Sequence, residues 1–231
     1  MNELIQTLDQ WDTSLFLCLN GQHNRFWDYF MTMYSDKFVW IPFYVAFLIV
    51  MIRNFRPKVV LSYLLVVAAI ILVCDQVSSS LLKPMVERMR PSNLDNPISP
   101  MVHVVFNYRG GRYGFPSSHA ANAWGISFFA ILLVKRKWLT GFLVPWAVLM
   151  TYSRVYLGVH YPGDLLVGTF IGILTAVVAY QLCKRLASEA TERFNPCEGS
   201  LHWASVPIIV GMSSIAVMLV ASGVLTYLNI E

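Results

Sequence analysis

The stretch that decides the fold is VVLSYLLVVAAIILVCDQVSSSLL, residues 59–82. It carries a single charged residue, Asp75. A helix needs roughly 17–25 mainly apolar residues to cross a bilayer, and this run is long enough. In lipid only helices and closed barrels satisfy their own backbone hydrogen bonds, so an unbroken run of this length predicts a membrane helix. Five further apolar runs repeat the pattern: 38–52, 118–134, 138–157, 164–183 and 205–228. The first of these lies between Lys37 and Arg53 and extends backward through Met31–Tyr34. Gly168 and Gly172 form a GxxxG pair in the fifth run, which predicts close helix packing within the monomer.

Composition agrees with a membrane protein. Of 231 residues, 56% are hydrophobic and 13% charged, whereas a soluble domain has about 25% charged residues. The net charge of +4 is small, and the bases sit in short clusters between apolar runs. That suits membrane topology rather than a nucleic-acid groove, so no nucleic-acid partner is expected. Cys18, Cys74, Cys183 and Cys197 are widely spaced and suggest neither a disulfide framework nor a zinc site. The first residues lack a basic region, so no cleaved signal peptide is expected. Residues 3–30 place Leu4, Ile5, Leu8, Trp11, Leu15 and Phe16 at helical spacing among acids and amides. They read as one or two amphipathic helices, within an interfacial segment spanning 1–36. Residues 83–115 are the one long polar connection, and such a loop is usually functional. No internal repeat is present, and 1–231 reads as one domain. The predicted fold is all-α: a polytopic membrane bundle of about six transmembrane helices with an N-terminal interfacial amphipathic segment.

The Lys/Arg distribution bears on orientation. Arg53, Arg56 and Lys58, then Lys135–Lys137, then Lys184, Arg185 and Arg193 fall on one side. The other side carries Arg25, Lys37, Lys83, Arg88, Arg90, Arg109, Arg112 and Arg154, so the raw count is nine against eight. Reserving Lys83, Arg90 and Arg154 for a site makes it nine against five. The short basic loops are then expected in the cytoplasm, and the 83–115 loop and both termini outside it, in a multi-pass protein of the inner (plasma) membrane. Trp40, Trp138 and Trp203 lie near predicted span ends, as in an aromatic belt.

Three separated segments carry the chemistry, and all fall on the same predicted face. They are Lys83 to Arg90-Pro91, Pro116-Ser117-Ser118-His119, and Ser153-Arg154 through His160 to Asp164. Arg90 and Arg154 can grip phosphate oxygens bidentately, and Lys83 adds a point charge. Pro116-Ser117-Ser118 leads into a helix whose free N–H groups, with the Ser117 hydroxyl, form an anion site. With the charge neutralised this way, no metal ion or other cofactor is required. Neutral His160 can attack phosphorus while Asp164 accepts its other ring N–H. His119 can protonate the leaving oxygen and then activate water.

Together these segments resemble the type 2 phosphatidic acid phosphatase superfamily, which also includes vanadium haloperoxidases and bacterial acid phosphatases. The family pattern is KxxxxxxRP, PSGH and SRxxxxxHxxxD. It is matched at Lys83, Arg90, Pro91, Pro116, Ser117, His119, Ser153, Arg154, His160 and Asp164. Ser118 departs from it, standing where the pattern has Gly; if that position needs positive φ, Ser brings strain. The resemblance implies His160 as nucleophile, His119 and Asp164 as its catalytic partners, and Lys83, Arg90, Ser117, Ser118 and Arg154 as phosphate ligands.

The expected activity is hydrolysis of a lipid phosphomonoester or pyrophosphate through a phosphohistidine. Undecaprenyl diphosphate ranks first as substrate on family frequency, ahead of phosphatidylglycerol phosphate, phosphatidic acid and lipid A phosphates. The expected partners are that lipid and the surrounding membrane lipids; the sequence sets no oligomeric state. A lipid-to-lipid phosphotransferase and a transporter with a basic vestibule are the alternatives, the latter disfavoured because Asp75 is nearly alone among ionisable residues in the spans. Glu87 reads as a partner for Arg88, Arg109 and Arg112 as solvated loop charges, and His23, His103 and His202 as structural residues.

Overall fold

A computed structural model of the chain describes residues 3–186 and 205–228. Among them every long element is a helix. They are α1 (Glu3–Asn20), α2 (Arg25–Ser35), α3 (Ile41–Asn54), α4 (Pro57–Val86), α5 (Ser118–Val134), α6 (Lys137–Tyr156), α7 (Pro162–Leu186) and α8 (Val206–Leu228). Each apolar run of the sequence is therefore one helix, with ends shifted by a few residues. Proline in the first turn starts α3 and α4, where its missing N–H has no partner to lose. The Ser117 side chain caps α5 by accepting from the Ala120 N–H. Within α4, Gln76–Leu82 is π-helical, which resets the register just before Lys83.

The helices α4, α7 and α8 are long and apolar enough to cross a membrane by themselves. Helices α3 and α5 are apolar but shorter. Helix α6 has 20 residues and carries Thr151, Ser153 and Arg154 near its end, all buried by its neighbours. Lipid tails give no hydrophobic drive for helix association, so close approach of backbones matters most. Helices α5 and α7 show this directly. A Cβ on Gly168 would run into the Ser117 carbonyl oxygen, and one on Gly172 into that of Ala121. Helix α8 packs against α2 and α3, while α5 also touches α4 and α6.

Three expectations are corrected. Met31–Tyr34 belong to the separate helix α2, because the chain turns at Asp36 before α3 begins. Helix α2 does not lie wholly at a surface: Tyr29, Phe30, Met31 and Tyr34 are buried, and it packs on α6 and α8. Trp40 is a fully buried core residue, donating its indole N–H to the Tyr34 carbonyl at 2.8 Å and standing edge-on to Trp146. Its polar tip is satisfied inside the protein, so it has no need of an interface. Trp138 is exposed, and Trp203 lies outside the described residues. Helix α1 keeps Leu4, Ile5, Leu8, Trp11 and Leu15 at least half exposed, an apolar stripe that no part of the described chain covers.

The polar segment after α4 is folded rather than loose. Arg90 N–H donates to the Arg112 carbonyl and Gly114 N–H to the Arg88 carbonyl, so the two ends of the segment run side by side. Asn96 donates to the Arg90 carbonyl and to the Tyr161 hydroxyl, each at 3.0 Å. Arg109, expected in solvent, donates to the Ser92 carbonyl at 2.6 Å and the Ser99 hydroxyl at 3.3 Å. Arg88 and Arg90 are thereby held on a stiff platform beside α7.

Candidate active site

The end of α4, the start of α5, the end of α6 and the start of α7 meet at one end of the bundle. The eight residues singled out in the sequence come together there. His160 sits in the short turn between α6 and α7, buried with 2% of its surface exposed. Its Nδ1 lies 3.2 Å from Asp164 Oδ2, and its Nε2 lies 2.9 Å from Arg90 Nη1. A guanidinium can only donate, so Nε2 is the accepting nitrogen and Nδ1 carries the proton. The ring is thus a neutral imidazole with its lone pair aimed at the cations. Burial lowers the His160 pKa well below its ordinary value, and the charges of Arg90, Arg154 and Lys83 push the same way. Asp164 is fully buried, and its Oδ2 also accepts from the Tyr161 N–H at 3.1 Å.

Arg90 meets Nε2 directly, and the charges of Arg154 and Lys83 also bear on His160. Arg90 also donates to the Val159 carbonyl at 3.0 Å. Arg154 donates to the Ser35 hydroxyl and, at 3.4 Å, to the Tyr108 hydroxyl. Lys83 donates to the Ser79 and Ser118 hydroxyls at 3.3 and 3.4 Å. Among the described residues, none of the three forms an ion pair with a carboxylate. Arg90 Nε and Arg154 Nε are buried with no hydrogen-bond partner. Clustered cations, two of them buried, repel one another and lose hydration, so the arrangement is suited to an anion. Burial and the Arg154 charge lower even the Arg90 pKa.

The start of α5 completes the set. Ser117 is fully buried; its N–H donates to the Asp164 carbonyl at 3.0 Å and its hydroxyl accepts from the Ala120 N–H at 3.4 Å. The Ala121 N–H goes to the Ser117 carbonyl, which leaves the Ser118 and His119 N–H groups for an anion. Ser118 is in ordinary helical conformation and is not among the positive-φ residues. The departure from Gly therefore brings no backbone strain, and it adds a hydroxyl against Lys83. His119 Nε2 lies 3.4 Å from the Ser35 carbonyl, which it can meet only by donating; Nδ1 is then left to exchange a proton.

Other contributors were not legible. Ser35, at the end of α2, touches both Arg154 and His119. Tyr108 bonds Arg154; burial works to raise its pKa, but that bond and the charges of Arg154 and Arg90 bring it below the ordinary value. Arg88 pairs not with Glu87 but with Asp164, Asp12 and Asp9, at 3.1, 2.7 and 2.8 Å. Glu87 ends α4 in left-handed conformation and lies outside that cluster. The available signal was the i, i+3 spacing of Asp9 and Asp12 in α1, flanking its apolar stripe. His103, expected as a structural residue, contacts Asp28 Oδ1 at 2.9 Å and stacks on His23 at 3.6 Å. His202 lies outside the described residues. In the spans, Asp75 accepts from Asn122 at 2.9 Å.

The chain is similar to known proteins. Residues 59–187 match the model of the PAP2 superfamily. The lipid A 4'-phosphatase of Bacteroides thetaiotaomicron is 41% identical, over 95% of this chain and 98% of that protein. The undecaprenyl-diphosphatase of Sulfolobus acidocaldarius is 30% identical, over 66% of this chain and 68% of that protein. The crystal structure of Aquifex aeolicus LpxE superposes with a TM-score of 0.57 at 25% identity, covering 73% of this chain and 94% of that one. The match covers all three segments of the site, and the chain belongs to the PAP2 superfamily as one of its lipid phosphatases.

Proposed function

We propose that the chain hydrolyses the 4'-phosphate of lipid A through a phosphohistidine on His160. The observation that carries the chemistry is that Arg90 meets the Nε2 lone pair of His160, with Lys83 and Arg154 near enough to bear on the ring and, among the described residues, no carboxylate paired with any of the three. A phosphomonoester placed there neutralises Lys83, Arg90 and Arg154 and takes hydrogen bonds from the Ser118 and His119 N–H groups, with the buried Ser117 hydroxyl close by. Its oxygens replace the Arg90 contact to Nε2, which is then released to attack phosphorus. Asp164 stabilises the imidazolium that forms. His119 protonates the departing sugar oxygen, then takes a proton from the water that cleaves the phosphohistidine. The protein supplies the positive charge itself, so the step needs no divalent ion.

The lipid is inferred from likeness. Family frequency alone ranks undecaprenyl diphosphate first. The lipid A 4'-phosphatase relative matches nearly end to end at 41%, and the undecaprenyl-diphosphatase matches two thirds at 30%. That contrast favours the lipid A phosphate. We read α3 to α8 as six crossings, which supports one common face for all site segments, with the exposed apolar stripe of α1 lying on the bilayer there. The basic clusters at 53–58, 135–137 and 184–193 support a cytoplasmic opposite face, and with it a site at the outer face of the inner membrane.

Purified protein should release phosphate from 4'-phosphorylated lipid A with at least about tenfold higher kcat/KM than from undecaprenyl diphosphate or phosphatidylglycerol phosphate, a difference of about 1.4 kcal/mol in transition-state binding. Equal or inverted rates would reject the lipid assignment. For orientation, Asn93→Cys should react with an impermeant thiol reagent in intact cells, and Lys135→Cys only after permeabilisation.

A further inference from the structure

We infer that Arg88 is a positioning residue for the His160–Asp164 pair, held for that task by Asp12 and Asp9 of α1. The inference rests on the reading of His160 as nucleophile. Arg88 makes no contact with the three unpaired cations and is turned toward carboxylates instead. Its Nη1 donates to Asp164 Oδ1 at 3.1 Å, the carboxylate oxygen that His160 does not use. Both oxygens of Asp164 are thereby pinned, one by Arg88, the other by His160 Nδ1 and the Tyr161 N–H. The carboxylate plane cannot rotate without breaking one of these bonds.

Arg88 is itself fixed from three directions. Nη1 donates to Asp12 Oδ2 at 2.7 Å and Nη2 to Asp9 Oδ1 at 2.8 Å. The guanidinium lies over the Tyr161 ring, 3.8 Å from its centroid. The second oxygen of Asp12 accepts from the Gly163 N–H at 2.7 Å, one residue before Asp164. Gly163 leaves room for this contact, because a Cβ there would stand 2.7 Å from Asp12 Oδ2. One acidic edge of α1 thus grips both Arg88 and the first turn of α7, while Leu4, Ile5, Leu8, Trp11 and Leu15 of the same helix stay exposed.

The chemical consequence follows from what Asp164 must do. Attack by Nε2 creates an imidazolium, and Asp164 stabilises it only while ionised and aligned with Nδ1. The charged groups that bear on Asp164 are Arg88 and Arg90 from the loop, Lys83 from α4 and His160 itself, with Asp9 and Asp12 acting from α1 through Arg88. Among the described residues, Arg88 is the one cation that bonds the carboxylate. Without it, Oδ1 is a buried acceptor with no donor, and proton uptake by Asp164 becomes easier. The acid limb of activity then moves to higher pH. Phosphate contacts are untouched, so kcat falls and KM does not.

The experiment uses the full chain in detergent micelles with 4'-phosphorylated lipid A, or the panel lipid turned over fastest. Arg88→Met should lower kcat about 100-fold with KM within about threefold, and raise the acid limb by about one pH unit. Arg88→Lys should recover about tenfold of that loss, because it restores the charge but not the fork. Asp12→Asn should lower kcat about tenfold, and the Arg88→Met/Asp12→Asn pair should be no slower than Arg88→Met alone. Vanadate protection against thermal unfolding reports an intact phosphate site in each variant. If Arg88→Met lacks it, Arg88→Lys carries the test through its own kcat loss and pH shift. Wild-type kcat and pH limb in Arg88→Met beside a dead His160→Ala would overturn the inference. So would a kcat loss with an unmoved pH limb and an additive Asp12 effect. An active His160→Ala would instead remove the nucleophile reading beneath it.

Discussion

Gly111 and Gly114 lie three residues apart in the same loop, and the structure gives them opposite tolerance for a methyl group. A Cβ on Gly111 has no heavy atom within 4 Å. A Cβ on Gly114 would stand 2.9 Å from Asp164 Oδ2, 3.4 Å from Arg90 Cγ and 3.6 Å from His160 Nδ1. Asp164 cannot swing aside, because His160, Tyr161 and Arg88 hold it at 3.2, 3.1 and 3.1 Å. Relief therefore requires the loop and the carboxylate to part by a few tenths of an ångström. A misplacement of about 1 Å at a reacting group can cost about 100-fold in rate, so a shift of this size should cost about 3–10-fold in kcat. The overpacking itself should destabilise by about 1–3 kcal/mol. Phosphate release measured over a range of substrate concentrations separates kcat from KM, and thermal unfolding in detergent reads stability. Gly114→Ala should lose kcat and unfold at lower temperature, while Gly111→Ala should match wild type in both. Equal behaviour of the two variants would refute the tight seating of the loop on the His–Asp pair.

Three other outcomes are expected. Gly172→Ala should lower the unfolding temperature by the equivalent of about 1–3 kcal/mol, because the methyl meets a backbone carbonyl of α5 that cannot move alone; an unchanged melt contradicts the close α5–α7 packing. The lowered His160 pKa keeps Nε2 neutral at pH 6.5, so protonation of His160 should cost no kcat/KM at or above that value, and an acid limb there belongs to Asp164; an acid limb assigned to His160 and centred above 7 contradicts this. Activity should persist after dialysis against EDTA, since Lys83, Arg90 and Arg154 supply the charge that a divalent ion would; loss on chelation with recovery on adding Mg²⁺ contradicts it.

The helices were legible because runs of apolar residues are a local signal, and all six runs fold as helices. The eight site residues were legible because three short segments carry them in a fixed order. What escaped were contacts between distant parts of the chain. Arg88 meets Asp12 across 76 residues, Arg154 meets Ser35 across 119, and Tyr156 meets Asp28 across 128. Spacing within a segment says nothing about such partners. Trp40 was misplaced for a related reason: an aromatic at a span end suits a membrane interface or a helix junction equally well, and here Tyr34 and Trp146 claim it. The π-helical stretch Gln76–Leu82 gave no warning in the composition, although it sets the direction in which Lys83 leaves α4.

The central claim is that His160 Nε2 forms a bond to phosphorus. Mixing the enzyme with lipid A labelled at the 4'-phosphate, quenching in alkali within one turnover and mapping the label tests it directly. The label should sit on His160 as an alkali-stable, acid-labile phosphohistidine, and His160→Ala should acquire none while still being protected by vanadate. Label on another residue, or near wild-type turnover by His160→Ala, would contradict it.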